Sequence, residues 1–242
     1  MLDLDNGLAE AVRHFWRVRA RQQESQGSAT GQKDAGSRAA VTGGKHGDGF
    51  IGLIADVLRD AGLADADIHI IDKTLPCYFR PAKDWDLIAK VGNDLLAAIE
   101  IKAHVGSFGN NFNNRVEEAL GSATDFWSAY REATFRPSAR PWLGYLMMLE
   151  HHPNAIRPGK PRKSPHYPLR PEFQSISYAR RYEIFCERLV RERLYDAACF
   201  LMSGQRDGLQ GRYVVPNEEL SFRNFALSLS ARAAAFSQIR KS

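Results

Sequence analysis

The sequence predicts an α/β fold, a mixed central sheet flanked by helices, with extra helices at both ends of the chain. Three observations predict it. Apolar residues recur at the helical period in several long segments, short β-branched runs bounded by Gly, Pro and Asn lie between them, and from residue 49 the segments follow the order helix, strand, strand, strand, helix, strand. A chain of 242 residues with 44% hydrophobic and 25% charged side chains buries a core of adequate size without disulfide staples.

Residues 3–21 read as an amphipathic helix, with Leu8, Val12, Phe15 and Trp16 on one face and Arg13, Arg17 and Arg21 on another. That arginine stripe either faces phosphate or is a solvated face partly paired with Glu10 and Glu24. From 22 to 48 the chain is rich in Gly, Ser, Ala and Gln, which predicts a mobile loop. The loop contains Gly43-Gly44-Lys45, but His46 follows the lysine and Ala39 stands where a phosphate loop needs its first glycine. Nucleotide-triphosphate binding is therefore unsupported.

Phe50, Ile51, Ile54, Val57 and Leu58 predict a helix over 49–61, capped by Asp48 and stopped by Gly62. Strands are predicted at 68–71, 86–91 and 95–103, the last two joined by a hairpin turn at Gly92-Asn93-Asp94. A helix over about 114–133 carries Val116, Leu120, Ala123, Trp127 and Tyr130, and 142–149 is a further apolar strand. Prolines at 153, 158, 161, 165, 168 and 171, set among Arg157, Lys160, Arg162, Lys163 and Arg170, predict a basic loop without helix or central strand. Helices at about 178–194 and 218–236 end the chain. Nothing beyond residue 150 reads as able to fold alone. The expectation is one elaborated domain over 1–242: the mobile loop at about 22–48, a catalytic core at about 49–150, and a basic Pro-rich loop with a helical part over 151–242.

Lysine and arginine exceed aspartate and glutamate by 33 to 28, and unevenly. Residues 51–100 hold five basic against nine acidic side chains, and residues 151–200 hold ten against five. A basic half beside an acidic centre suits a polyanion-binding protein with a metal site, although an ordinary solvated surface has the same statistics. Cys77, Cys186 and Cys199 form no CxxC pair, the first residues are acidic, and no apolar run reaches the roughly 18 residues of a membrane span. These features predict a cytoplasmic protein.

The chemistry lies in Lys83-Asp84-Trp85-Asp86 and, past the turn, Glu100-Ile101-Lys102. With the turn centred at 93, antiparallel partners sum to about 186, which sets Asp86 opposite Glu100 and Asp84 opposite Lys102. Alternation places Glu100 and Lys102 on one face and Ile99 and Ile101 on the other. Two carboxylates and a lysine at the end of an apolar hairpin are costly to desolvate unless a cation and an anionic substrate satisfy them. Asp86 and Glu100, with the Ile101 carbonyl, are hard oxygen ligands for Mg²⁺, and Lys102 can orient or deprotonate a water and hold a phosphate. This is the chemistry of phosphodiester hydrolysis. The competing reading is a surface hairpin with cross-strand charge pairs.

Asp86…Glu100-Ile101-Lys102 on this order of elements resembles the PD-(D/E)xK nuclease fold. The runs 80–86 and Phe108-Gly109-Asn110-Asn111-Phe112-Asn113-Asn114-Arg115-Val116-Glu117-Glu118-Ala119 resemble the XhoI-type branch of type II restriction endonucleases. Trp85 stands where the fold's name has proline, which leaves Asp84 as a rival ligand to Asp86; register favours Asp86. The resemblance implies a Mg²⁺-dependent endonuclease, with Lys83 among the DNA-contacting residues. The resemblance further implies action on double-stranded DNA as a homodimer at a short palindrome such as CTCGAG, within a restriction-modification system that includes a cognate methyltransferase.

Asn110, Asn111, Asn113, Asn114 and Arg115 form a predicted base-reading loop, since Asn pairs bidentately with adenine and Arg with guanine. Some of them are equally suited to capping the following helix. Arg162 and Lys163 are candidates for backbone phosphates. His151 and His152 read as loop histidines, because adjacent extended residues point to opposite sides. Two other functions compete: a less specific repair or recombination nuclease of the same fold, and a catalytically silent DNA-binding module. Intact Asp86, Glu100 and Lys102 weigh against silence.

Overall fold

The computed structural model describes residues 2–27, 46–135, 139–160 and 164–239. Helix α1 (Leu4–Gly27) leads to α2 (Asp48–Asp60), and the strands begin with β1 (Ile68–His69). Strands β2 (Thr74–Pro76) and β3 (Ala82–Asp84) precede β4 (Leu87–Val91) and β5 (Asp94–His104). Then follow α3 (Phe108–Arg131), β6 (Trp142–Glu150), the short α4 (Pro153–Ile156), α5 (Tyr178–Arg191), β7 (Ala197–Ser203), the short α6 (Gln205–Gly208) and α7 (Phe222–Ile239).

The main sheet runs β1-β4-β5-β6-β7, with β2 and β3 forming a separate two-stranded ribbon. β4 pairs antiparallel with β1 and β5, whereas β5, β6 and β7 are parallel. The predicted mixed sheet with helices on its faces is thus what the chain forms. On one face α1, α2 and α7 bury Phe15, Trp16, Ile54 and Phe225 against Leu87, Ile99 and Leu146. On the other, α3 and α5 bury Phe126, Tyr182 and Phe185 against Ile88, Ala98 and Tyr145. The central strands are covered on both sides, so β6 and β7 are apolar up to their last residues, Glu150 and Ser203, rather than alternating.

The β4–β5 hairpin has the expected register at its functional end. Leu87 faces Ile99 and Ala89 faces Ala97, while a shift between Ala89 and Lys90 lets the turn close with Val91 against Asp94. Gly92, at φ +61°, supplies the left-handed residue that such a two-residue turn needs.

Several expectations are corrected. Helix α1 extends through Gly27, so the first residues of the predicted 22–48 loop are helical, and Asp48 opens α2 rather than capping it. Residues 28–45, with Gly43-Gly44-Lys45, lie outside the described residues. The strand predicted at 68–71 stops at His69, leaving Ile70 and Ile71 exposed. The helix predicted from 114 starts at Phe108, after Ser107 rather than Asn113 or Asn114, so the asparagine run occupies a helix and not a loop. The described part of the Pro-rich segment contains the helical turn α4 and, at its end, a 3₁₀ turn at Pro171–Phe173, because Pro153 and Pro171 sit at first positions, where no amide hydrogen bond is lost. The last helix starts at Phe222, after a one-turn 3₁₀ helix at Glu218–Leu220. Strand β7 was not predicted at all. It follows α5, which ends at Arg191, and it places residues beyond 150 inside the main sheet.

Candidate active site

Glu100 is the site's deepest polar group, only 1% exposed on β5. Its side chain leaves the sheet on the face that carries Ala98, as alternation requires, and meets three groups, one from its own strand and two from distant parts of the chain. Lys102 Nζ lies 2.7 Å and Lys83 Nζ 3.0 Å from Oε1. The Tyr195 hydroxyl lies 3.3 Å from Oε2 and 3.1 Å from the Ala119 carbonyl, so its proton is shared between a carboxylate and a helix. Burial pushes the Glu100 carboxyl up, but the ammonium groups of Lys102 and Lys83 outweigh it and hold Glu100 below the usual carboxylate range. Burial and the Glu100 charge push the Tyr195 phenol well up, which keeps it a neutral donor.

Asp86 approaches from the start of β4. Its amide donates to the Ile99 carbonyl at 3.0 Å, and its Oδ2 accepts from the Ile101 amide at 2.7 Å. Asp86 therefore caps the edge of β5 at the residue between Glu100 and Lys102. The Lys73 ammonium is 3.5 Å from the Asp86 carbonyl. Burial and the Arg19 charge hold the His46 imidazole below its usual range, against the opposing pull of Asp48 and Asp86. Together these place Asp86, Glu100, Ile101 and Lys102 in one cluster at the functional end of the hairpin.

Asp84 is elsewhere. It pairs with Thr74 across the β2–β3 ribbon and accepts from the Thr74 hydroxyl, so the expectation that it faces Lys102 is corrected. The ribbon diverges from the main sheet at Trp85, whose indole is buried against Phe126 and whose amide bonds to the Lys73 carbonyl. That divergence carries Lys83 inward, 12% exposed at its side chain, onto Glu100 and over the Trp85 ring at 4.8 Å. Lys83 thus reaches the carboxylate, a contact that its sequence position did not reveal. Tyr195 was missed altogether, since a tyrosine 95 positions from its partner carries no spacing signal.

At the carboxyl ends of β5 and β6 a cavity of about 740 Å³ opens, lined by Phe108, Glu150, His152, Arg157, Lys160 and Tyr178 among others. The Gly106 amide donates to Glu150 at 3.0 Å, and Gly106 and Ser107 both adopt positive φ to turn the chain from β5 into α3. Arg157 and Lys160 bring the basic Pro-rich segment to this rim, while Arg162 and Lys163 lie outside the described residues. In α3, Asn113 and Asn114 are exposed and Asn111 is half-buried. Arg115 is paired with Glu118 at 2.6 Å. The Asn110 side chain lies outside the described residues. His152 caps α4 through Asn154 and stacks on Phe108, as a loop histidine with a structural task.

Among the described residues no group of three or more His, Cys, Asp or Glu is arranged to hold a metal ion, so the oxygen donors at the site are the two carboxylates and backbone carbonyls. Nor is any described helix long and apolar enough to cross a membrane.

Three comparisons bear on this site. The model of the restriction endonuclease XhoI family matches residues 25–215, a span that includes Asp86, Glu100, Lys102 and the asparagine run. The type II restriction enzyme BstVI of Geobacillus stearothermophilus is 49% identical over 209 residues, covering 84% of this chain and 93% of that protein. The type II restriction enzyme XhoI of Xanthomonas vasicola is 40% identical over 183 residues, 74% of this chain and 72% of its own length. AbrI of Azospirillum brasilense, also a type II restriction enzyme, is 44% identical over 172 residues, 69% and 75% of the two chains. No solved structure matches the chain.

Proposed function

Because the chain belongs to the XhoI family of type II restriction endonucleases, and so is a site-specific deoxyribonuclease acting on double-stranded DNA, we propose that it cuts at Asp86, Glu100 and Lys102 with Mg²⁺. The observation that carries this reading is Glu100, a buried carboxylate kept ionised by two ammonium groups and tied through Ile101 to a second carboxylate. A buried, ionised carboxylate beside two lysines and a second carboxylate is a pattern found at functional sites more often than in a structural core.

The donor set fits Mg²⁺, which takes one or two carboxylates and completes its shell with water and phosphate oxygens. Asp86 and Glu100, with the Ile101 carbonyl, would hold it, and the ion would acidify a water and neutralise charge developing on the phosphate oxygens. The protein's own groups do the rest. Asp86 is oriented by the Ile101 amide, and Glu100 by Tyr195 from behind. Lys102 shares the Glu100 face, so its ammonium can move from Oε1 to a phosphate oxygen and orient the attacking water with little change of backbone.

The asparagines of α3 and Arg115 follow Lys102 closely enough to reach base edges beside the scissile phosphate. The exposure of Asn113 and Asn114 in the second turn of α3 supports a reading role. The finer properties go with the family resemblance: a homodimer on a two-fold palindrome, CTCGAG-like, protected in the host by a cognate methyltransferase. Digesting plasmid DNA with Mg²⁺ or with EDTA and sequencing the fragment ends tests the whole reading. Discrete fragments sharing one palindrome, formed only with the metal, are expected. A smear would indicate a less specific nuclease, and intact plasmid a binding module.

A further inference from the structure

The β2–β3 ribbon ends in a tip, residues 77–81, closed by the Cys77 amide on the Pro81 carbonyl at 3.4 Å. The tip is held from below by Asp125 of α3, a carboxylate only 4% exposed. Asp125 Oδ1 accepts from the amides of Tyr78 (2.7 Å) and Phe79 (2.8 Å), and Oδ2 accepts from Arg80 Nε (2.8 Å). Burial pushes the Asp125 carboxyl up, and these donors more than reverse the shift, leaving an ionised group committed to the tip backbone. A buried carboxylate spent in this way makes the tip rigid.

What the rigid tip displays is apolar. Tyr78 is 53% and Phe79 69% exposed, their rings edge-to-face at 4.8 Å. Aromatic side chains that contributed to the core would turn inward, and a loop that served only as a connection would not need to donate three hydrogen bonds to one buried carboxylate. The charged side chains of 73–84 are Lys73, Arg80, Lys83 and Asp84, and Asp84 is engaged by Thr74. Lys83 is turned inward onto Glu100, and Arg80 pairs with Asp125 while keeping 45% of its side chain exposed beside the rings. Exposed aromatics beside a cation, with no free carboxylate among 73–84, fit a nucleic acid better than an acidic or apolar protein surface.

The tip is also tied to the cleavage site. Four positions separate Phe79 from Lys83, whose ammonium touches Glu100. At about 3.3–3.6 Å per residue the intervening chain spans at most about 14 Å, roughly four base-pair steps at 3.4 Å each. We propose that Tyr78 and Phe79 form a wedge that enters a base step of the substrate duplex a few base pairs from the scissile phosphate, with Asp125 as the residue that positions it. The inference rests on the family's action on double-stranded DNA. An aromatic inserted at a base step unstacks it and bends the duplex, which would bring more of the basic surface onto the backbone.

The test uses the full-length protein and the duplex that it is found to cut, held uncut in Ca²⁺, with 2-aminopurine at successive positions within five base pairs of the cleaved bond. Wild type should raise the fluorescence at one step. Phe79→Ala should abolish that rise and weaken binding by about tenfold or more, the range expected for a lost aromatic–base stack. Phe79→Leu should restore part of both, and it also serves should the alanine variant fold poorly. Asp125→Asn should reduce the rise while wild-type cutting in Mg²⁺ confirms that the family activity itself is intact. A wild-type complex with no fluorescent step overturns the wedge. So does weaker binding by Phe79→Ala with the rise unchanged, which would place the ring on sugar or phosphate. A fall in sedimenting mass of DNA-free Phe79→Ala would make the tip a contact between protomers and equally overturn the proposal.

Discussion

Replacing Lys83 with methionine keeps the apolar stem and removes the charge, which isolates what the ammonium does for Glu100. In the metal-free protein its Nζ lies 3.0 Å from Glu100 Oε1 and 4.8 Å from the Trp85 ring centre, with the side chain 12% exposed. A hydrogen bond to a charged partner contributes about 1.5–3 kcal/mol and a partly desolvated cation over tryptophan about 0.5–1 kcal/mol. Lys102 remains on the same oxygen and takes up part of the loss, so Lys83→Met should cost about 2–3 kcal/mol at neutral pH. Glu100 has a folded-state pKa below its unfolded value, so its contribution is present above the ordinary carboxylate pKa of about 4.3 and is lost as pH falls through the folded value. In the variant burial is opposed by Lys102 alone, and the folded value rises. The stability gap between wild type and variant should therefore be widest at pH 7 and narrow towards pH 4, measured by urea unfolding in EDTA. A gap of constant size across that range would assign the loss to the ammonium over the Trp85 ring and show that its charge has no hold on Glu100.

Asp86→Asn should abolish cleavage, and Asp84→Asn should leave most of it, because Asp84 is occupied by Thr74 on the ribbon; initial rates on a cognate duplex distinguish them, and the reverse result would move the metal ligand to Asp84. Asn111→Ala and Arg115→Ala should each lower preference for the cognate site over one-base variants by about 1–3 kcal/mol if they make bidentate base contacts, read by competition binding in Ca²⁺, with equal losses on random DNA placing them on phosphate instead. A Cβ at Gly208 would sit 1.9 Å from Trp16 Cδ1 and 2.6 Å from Ser203 Oγ, and the indole it would displace donates to Ser203. Gly208→Ala should accordingly destabilise by about 1–3 kcal/mol or more through overpacking, which thermal unfolding would register.

The sequence revealed most of the fold where its signals were periodic or local. The hairpin of β4 and β5 could be placed to the residue near Glu100 because Gly92-Asn93-Asp94 fixes the turn, and the shift at Ala89/Lys90 returns the strands to the expected pairing. Strand β7 was illegible because Ala197–Ser203 is buried on both faces, so it lacks alternation and follows a helix without a proline or glycine boundary. The asparagine run was read as a loop because asparagine is a poor helix former, yet Phe108 and Phe112 pack on Tyr178 and Tyr182 and hold it helical. At the site, the Glu-x-Lys spacing showed which groups share a face. What no spacing could show was that a ribbon diverging at Trp85 would bring Lys83 to Glu100, or that Tyr195 would arrive there from the start of β7.

Binding and cutting measured on the same preparations of Glu100→Gln and Lys102→Ala address the proposed chemistry at its source. Both variants should still bind the cognate duplex specifically and measurably in Ca²⁺, since Glu100 and Lys102 read no base and Lys102 meets a single phosphate. In Mg²⁺ neither should release product on a timescale at which wild type has cut the substrate to completion, a loss of at least about 10²–10³-fold. Cleavage by either variant at a rate near wild type would contradict the assignment of Glu100 and Lys102 to the reaction.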